Sequence, residues 1–345
     1  MSASIAVRTL DAADAPRWDA FVADCAEATF FHRAGWREAI ERGLGRSCHF
    51  LYAERSGEIR GVLPLVHVNS ALFGHSLVST GFTVGGGPVA RDDDVLAALD
   101  RAALALAERL DVDHVEYRGG RGPHAGWIAK PDLYVEFRRP IDPDPALNMR
   151  AIPRKQRAMV RKGIAAGLVS EIDSSTDRLH AVYGESVRNL GTPVFAPAFF
   201  RTLKRVFGPD CDIVTVLDGR RAVASVMNFY FRDTVMPYFG GGTRAARALA
   251  ANDFMYWEVM RRAAERGFRA FDFGRSKRGT GAFAFKKNWG FVPEPLVYQF
   301  YLRRGTEVPQ VNPLNPKYRL FIAAWKRLPL VIANRIGPLI ARELA

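Results

Sequence analysis

Cysteine is scarce: Cys25, Cys48 and Cys211 are the only three in 345 residues, and no two stand at CxxC spacing. A disulfide framework and a cysteine zinc site are therefore excluded. The seven histidines form no HExxH pair and lie near no acidic cluster, so no metal-ligand set is expected. No G-x-S-x-G elbow and no G-x-x-x-x-G-K-[ST] loop occurs, which removes the usual hydrolase nucleophile and the phosphate-cradling P-loop. Residues 1–16 carry Asp11 and Asp14 and no apolar core, unlike a secretory signal. Charge is missing between Arg60 and Arg91, a stretch long enough for a membrane span. His67, Asn69, His75 and the Gly85-Gly86-Gly87-Pro88 run argue for strands and loops there instead. A cytoplasmic protein is expected.

What is present is ordinary in bulk and skewed in charge. Hydrophobic content of 48% with 25% charged residues suits a folded chain. A net charge of +13 points to an anionic partner, whether nucleic acid, phosphorylated substrate or membrane surface. Of the 49 basic residues 40 are Arg and 9 are Lys, so an individual lysine is the more informative. The length fits two domains of about 150 residues.

The chain repeats itself. Thr29–Gly45 (TFFHRAGWREAIERGLG) aligns with Thr192–Gly208 (TPVFAPAFFRTLKRVFG), pairing Thr29 with Thr192, Arg42 with Arg205 and Gly45 with Gly208 at an offset of 163. Cys48 and Cys211 keep that offset. Each opens an apolar run that turns at Gly57 or Gly219 and resumes, which reads as a β-hairpin. Val95, Leu99, Ala102 and Leu106 then recur at helical spacing, as do Tyr256, Val259, Met260 and Ala263. Strands follow around Glu116 and Asp272, and again around Tyr134 and Tyr298.

The expected fold is α/β (α+β), a duplication in which each copy is a mixed twisted sheet flanked by helices. The first domain spans residues 1–139. A Pro-rich and basic linker follows at 140–153, because Pro140, Pro143 and Pro145 can continue neither a helix nor an interior strand. The second domain spans 154–305, and a basic amphipathic helical tail 306–345.

The order hairpin, long strand, helix, strand is that of an acyl-CoA N-acyltransferase (GNAT) core. The segments DFMYWEVMRRAAERGFRAFDFGRS and FAFKKNWGF, with PRKQRAMVRKG at 153–163, resemble the second domain of the FemAB family of non-ribosomal peptidyl and aminoacyl transferases. The whole chain looks most like the FemAB-related proteins that accompany exosortase (PEP-CTERM) and exopolysaccharide loci. The resemblance covers about residues 30–305 and is strongest over 150–292. It implies two tandem GNAT-like domains and transfer of an acyl or aminoacyl group to an amine. Acyl-CoA-using relatives carry a glycine-containing pyrophosphate loop at a helix N-terminus, whereas Arg247–Asn252 here has no glycine. The activated donor is thus an aminoacyl-tRNA or an acyl-CoA, taken as co-substrate, and no cofactor is expected to be permanently bound.

Candidate site residues cluster in the second copy. Arg154, Lys155, Arg157 and Arg161 belong to a basic segment with no acid, read either as a phosphate or tRNA site or as a solvated helix face. Lys286 and Lys287 follow Gly279-Thr280-Gly281 in an expected turn. An ammonium fixed there could stabilise the oxyanion of acyl transfer, and the family resemblance assigns Phe285 and Lys286 to the active centre. Asp272 could orient Lys286 or Arg275, accept a proton from the amine, or simply pair with Arg275. Tyr238 and Asn252-Asp253 are expected along a donor groove, Asp253 alternatively as an N-cap. His32 and Trp36 mark where the family's acceptor-binding domain begins, with packing as the alternative for His32.

Two further readings stay open. The protein is a transferase in envelope or exopolysaccharide assembly, or a non-catalytic binder of RNA or a membrane complex. Residues 317–345 are dense in large apolar side chains and cations, and Pro329 and Pro338 divide them. They suit the surface of an anionic membrane, peripheral on its inner face, or pack back on the first domain.

Overall fold

The computed structural model describes residues 4–70, 74–308 and 319–344. In chain order the first elements are β1 (Ala6–Thr9), α1 (Ala15–Asp24), α2 (Gly35–Leu44), β2 (Cys48–Arg55), β3 (Glu58–Ser70) and β4 (Gly74–Ser79). They continue with β5 (Val89–Ala90), α3 (Asp93–Arg109), β6 (His114–Arg118) and β7 (Ile128–Glu136). Next come β8 (Arg138–Pro140), α4 (Pro145–Ala151), α5 (Arg154–Ala165), β9 (Val169–Ile172), α6 (Asp177–Leu190) and α7 (Pro197–Phe207). Then β10 (Cys211–Asp218), β11 (Arg221–Phe231), β12 (Thr234–Gly242), α8 (Ala246–Leu249), α9 (Ala251–Glu265) and β13 (Ala270–Asp272) complete the second sheet. The chain ends with α10 (Gly281–Asn288), β14 (Glu294–Leu302), α11 (Arg319–Trp325) and α12 (Leu330–Ala341).

The elements form two compact units. Unit 1 comprises residues 1–133, 296–311 and 342–345; unit 2 comprises 134–295 and 312–341. Unit 1 holds an eight-stranded sheet in the order β1-β2-β3-β4-β6-β14-β7, with β5 added on β3. Strand β14 arrives from the far end of the chain and pairs antiparallel with β6, Tyr298 opposite Arg118. Unit 2 holds a six-stranded sheet in the order β8-β13-β12-β11-β10-β9. Each sheet has one parallel pair that brackets a long helix in the chain: β4 with β6 around α3, and β12 with β13 around α9.

The duplication seen in the sequence extends further in the structure. β1 and α1 correspond to β9 and α6, α2 to α7, β2–β3–β4 to β10–β11–β12, and α3 to α9. Local chemistry explains the helices. Asp92 caps α3 by accepting from the Val95 amide, Asp93 and Asp94 face the positive end of its dipole, and Val95, Leu99, Ala103 and Leu106 are buried. Helix α7 starts at Pro197, buries Phe199, Phe200, Leu203 and Phe207 and turns Lys204 and Arg205 outward. The charge-free stretch after Arg60 is the long strand β3, then β4 and β5.

The expected linker is more structured than its prolines suggest. Strand β8 ends at Pro140 and pairs with β13 from Asp272↔Arg138 to Ala270↔Pro140. Asp144 then caps α4, with Pro145 in its first turn. Both prolines sit where their missing N–H costs nothing, at the end of a short edge strand and at a helix start.

The tail helices α11 and α12 belong to unit 2, not to the first unit as one reading of the sequence had it. Gly337 lies against the backbone of Val194, Gly184 of α6 against Asn334, and Gly191 against Ile322. Pro309, Pro313, Pro316, Lys317 and Tyr318 lie outside the described residues.

Candidate active site in unit 2

The site grows from the end of β13. Strands β12 and β13 pair over only two positions, Thr234↔Ala270 and Val235↔Phe271. Just beyond, the Asp272 carboxylate accepts a hydrogen bond from the Gly274 amide at 2.6 Å. Gly274 adopts a left-handed φ of 65°, a conformation that a side chain would resist. The chain on the other side stays paired through this bend: Phe273 N–H donates to the Phe137 carbonyl, and Val135 and Ser276 exchange both backbone bonds. The count is uneven, since 272 faces 138 while 276 faces 135. One extra residue is therefore bulged out between Asp272 and Ser276, as happens where a strand must re-aim its groups.

Lys286 fills this bend. Its Nζ donates to the Gly274 carbonyl at 3.0 Å and to the Arg275 carbonyl at 2.8 Å, and lies 5.7 Å from the Phe137 ring centroid. An ammonium has three N–H donors, so one remains for a ligand. Burial lowers its pKa from 10.5 to about 8, opposed by the negative field of Asp272. It is thus a cation at neutral pH that is held poorly solvated.

Two carboxyl groups face it. Arg138 stands opposite Asp272, so the two side chains share a face, and Glu136, two residues on, lies on that face too. Burial, with the neighbouring Asp272 charge adding to it, pushes the Glu136 carboxyl up to about 7. Burial raises Asp272 as well, while the Gly274 amide works against that shift. Two carboxyls so placed share the burden of charge, and one proton near neutrality belongs to the pair. Glu136 was not expected from the sequence. It precedes Asp272 by more than a hundred residues and meets it only through the 134–140 segment.

Phe285, Lys286 and Lys287 lie on helix α10 rather than in an extended turn. Thr280 caps that helix, accepting from the Phe283 amide at 3.3 Å. Phe285 anchors it, its ring 5.5 Å from Tyr256, 6.1 Å from Trp289 and 6.2 Å from Phe273. Lys287, a hundred degrees further round the helix, is exposed. Arg275 carries its guanidinium 4.5 Å over the Tyr134 ring, and Tyr238 rests against Phe229 and Phe239.

The basic segment is helix α5. Arg154, Lys155, Arg161 and Lys162 are exposed, and Arg157 bonds back to the Arg150 carbonyl. Among the described residues none of these five, nor Arg150, has a carboxylate within ion-pair distance. The helix is seated by Gly163, where a Cβ would come within 2.7 Å of Phe254 on α9. Asp253 ties the helices together: Gln156 of α5 and the Trp289 indole, at 3.0 Å, both donate to its Oδ1. It is buried in the first turn of α9 and makes no N-cap, a position held by Ala250 in a left-handed conformation. Helix α8 therefore runs into α9 through Ala250.

His32 and Trp36 depart from the expected acceptor site. His32 is 1% exposed, takes the Thr29 amide on Nδ1 at 3.0 Å and donates Nε2–H to the Gly87 carbonyl at 2.7 Å. Trp36 is fully buried and donates to the Phe30 carbonyl. Both are interior supports of unit 1, which answers the packing alternative for His32. No group of three or more His, Cys, Asp or Glu side chains among the described residues could hold a metal.

Residues 149–287 match the family described as Acetyltransferase (GNAT) domain. No curated protein sequence matches the chain. Among solved structures, FemX is similar over 92% of this chain and all of its own, with TM-score 0.64 and 14% identity. A tandem GNAT protein from the clavulanic acid biosynthesis pathway, solved without AcCoA, is similar over 88% and 100%, with TM-score 0.57 and 13% identity. So is the C-terminal domain (DUF2156) of an Agrobacterium fabrum protein assigned as a lysylphosphatidylglycerol synthetase, over 85% and 93%, with TM-score 0.57 and 14% identity. The fold is thus that of two tandem GNAT-like units, and within the second of them residues 149–287 match the GNAT acetyltransferase domain.

Proposed function

We propose that unit 2 transfers an activated acyl or aminoacyl group to an amine, in the manner of the FemAB family, within cell-envelope or exopolysaccharide assembly. The observation that carries this reading is the Lys286 ammonium, fixed by two carbonyls with one donor left over, beside two carboxyls of raised pKa. The acceptor amine attacks the carbonyl carbon of the donor ester or thioester. Negative charge develops on the carbonyl oxygen, and Lys286 stabilises it by charge and by its third N–H. Glu136, ionised above about pH 7 beside Asp272, takes the proton lost by the attacking nitrogen. Collapse of the tetrahedral species breaks the bond to the alcohol or thiol, which leaves with a proton, and forms the amide. No covalent enzyme intermediate is required.

The open cations of α5 suit a phosphate-rich donor or acceptor. The alanine at position 250 and the absence of glycine from 247–252 favour an aminoacyl-tRNA donor over CoA. FemX and the domain assigned to lysylphosphatidylglycerol synthetase are consistent with that choice; the tandem GNAT protein from the clavulanic acid pathway keeps acyl-CoA as the second reading. Loss of the acyl group from charged tRNA and from acetyl-CoA, measured by mass spectrometry with a panel of amines, separates them. Consumption of charged tRNA with amide formation is expected. Consumption of acetyl-CoA alone selects the second reading, and consumption of neither leaves a non-catalytic binder.

A further inference from the structure

The tail helices carry their apolar residues on the wrong side for a helix that only packs. In α12 the buried positions are Ala333, Gly337 and Ala341, four residues apart and all small. The large residues look outward: Val331 is 80% exposed, Leu339 58%, and Ile332 and Ile336 are likewise exposed. Helix α11 buries Trp325 but likewise leaves Leu320 and Phe321 exposed. Covering large apolar side chains is favourable, so leaving these six exposed together implies an occupant. Arg319, Lys326, Arg327 and Arg335 are exposed around them, and no acid occurs from residue 308 to 342.

We infer that the outer face of α11 and α12 docks on an anionic lipid bilayer. A second copy of the chain is the poorer occupant, because two such faces would bring eight cations together without a carboxylate between them. An anionic bilayer satisfies both halves of the pattern: acyl chains take the aliphatic residues, and headgroup phosphates take the cations. The helices lie in the interface rather than cross it. No described helix is long and apolar enough to span, and α12 rises only about 18 Å against a hydrocarbon core of about 30 Å. The inference does not depend on the reaction proposed for unit 2.

Co-sedimentation of the full chain with vesicles tests it. Vesicles with about 30 mol% phosphatidylglycerol should carry the protein down, and phosphatidylcholine alone should not. The triple variant Leu320→Ser, Val331→Ser, Leu339→Ser alters only exposed positions and should keep the wild-type melting temperature while vesicle affinity falls at least about tenfold. Arg327→Glu should weaken binding about fivefold or more, and added salt should erase that difference. A Leu320→Trp variant should show a blue-shifted emission with anionic vesicles. Absence of sedimentation, or sedimentation unchanged in the triple variant, overturns the proposal. So does a wild-type dimer that the triple variant abolishes, since that makes a second copy the occupant.

Discussion

Replacing Lys286 by Met separates catalysis from folding at one residue. A pKa near 8 instead of 10.5 means that this site disfavours the ammonium by about 3 kcal/mol at neutral pH, at about 1.4 kcal/mol per pH unit. Lys286→Met keeps the apolar stem and relieves that penalty. It also leaves the Gly274 and Arg275 carbonyls without their donor, a loss of about 1–2 kcal/mol each. The two effects nearly cancel, so the variant should unfold within about 1 kcal/mol of wild type, while kcat falls by about 100- to 1000-fold, as for loss of one oxyanion donor. The stability difference also has a direction with pH. A depressed pKa gives wild type a contribution complete above 10.5 and lost as pH falls through about 8. The Met variant should therefore gain on wild type as pH falls from about 10.5 to about 8, and hold that gain below. Thermal denaturation across pH, set beside steady-state rates, reads both. A kcat within tenfold of wild type refutes the assignment, and a collapse of stability in step with activity would make Lys286 structural.

The remaining expectations are briefer. Arg154→Ala with Arg157→Ala should flatten the log–log salt dependence of tRNA or phosphate-ligand binding by about 1.5, and an unchanged slope would make α5 a solvated face. Glu136→Gln should gain stability relative to wild type above pH 7, because a raised carboxyl pKa gives wild type a contribution complete below 4.5 and lost through about 7; equal melting curves at pH 5 and 8 would contradict it. Lys287→Ala, exposed on α10, should change kcat less than threefold or so, well below the loss at Lys286. Gly163→Val should destabilise by about 1–3 kcal/mol through the Phe254 contact, measured by urea unfolding.

Much of the fold was legible because the chain says it twice. Thr29 and Thr192, Cys48 and Cys211, and the paired hairpins each supported the other, and the structure extends the correspondence to β1 and β9. The site was legible where one short segment holds it, as with Lys286 and Asp272. Glu136 was not, since nothing in VEFRRP marks a carboxyl for burial, and its neighbours come from a strand pairing formed over long range. Helix α10 was misread although Thr280 ahead of an apolar run is a capping signal; the glycines at 279 and 281 spoke more loudly for a turn. His32 looked available because its two ring partners, Thr29 and Gly87, are set by tertiary structure. For the tail the sequence offered a membrane face or packing on the first domain, and the unit on which α11 and α12 rest is set by long-range contacts such as Gly337 with Val194.

The pH dependence of kcat/KM tests the central claim most directly. If the Glu136–Asp272 pair must be ionised and Lys286 protonated, the rate rises through about pH 7 and falls through about pH 8. The rising limb should shift or vanish in Glu136→Gln, and the falling limb should vanish in Lys286→Met. A rate that stays level to pH 10, or limbs that survive both substitutions unchanged, would contradict it.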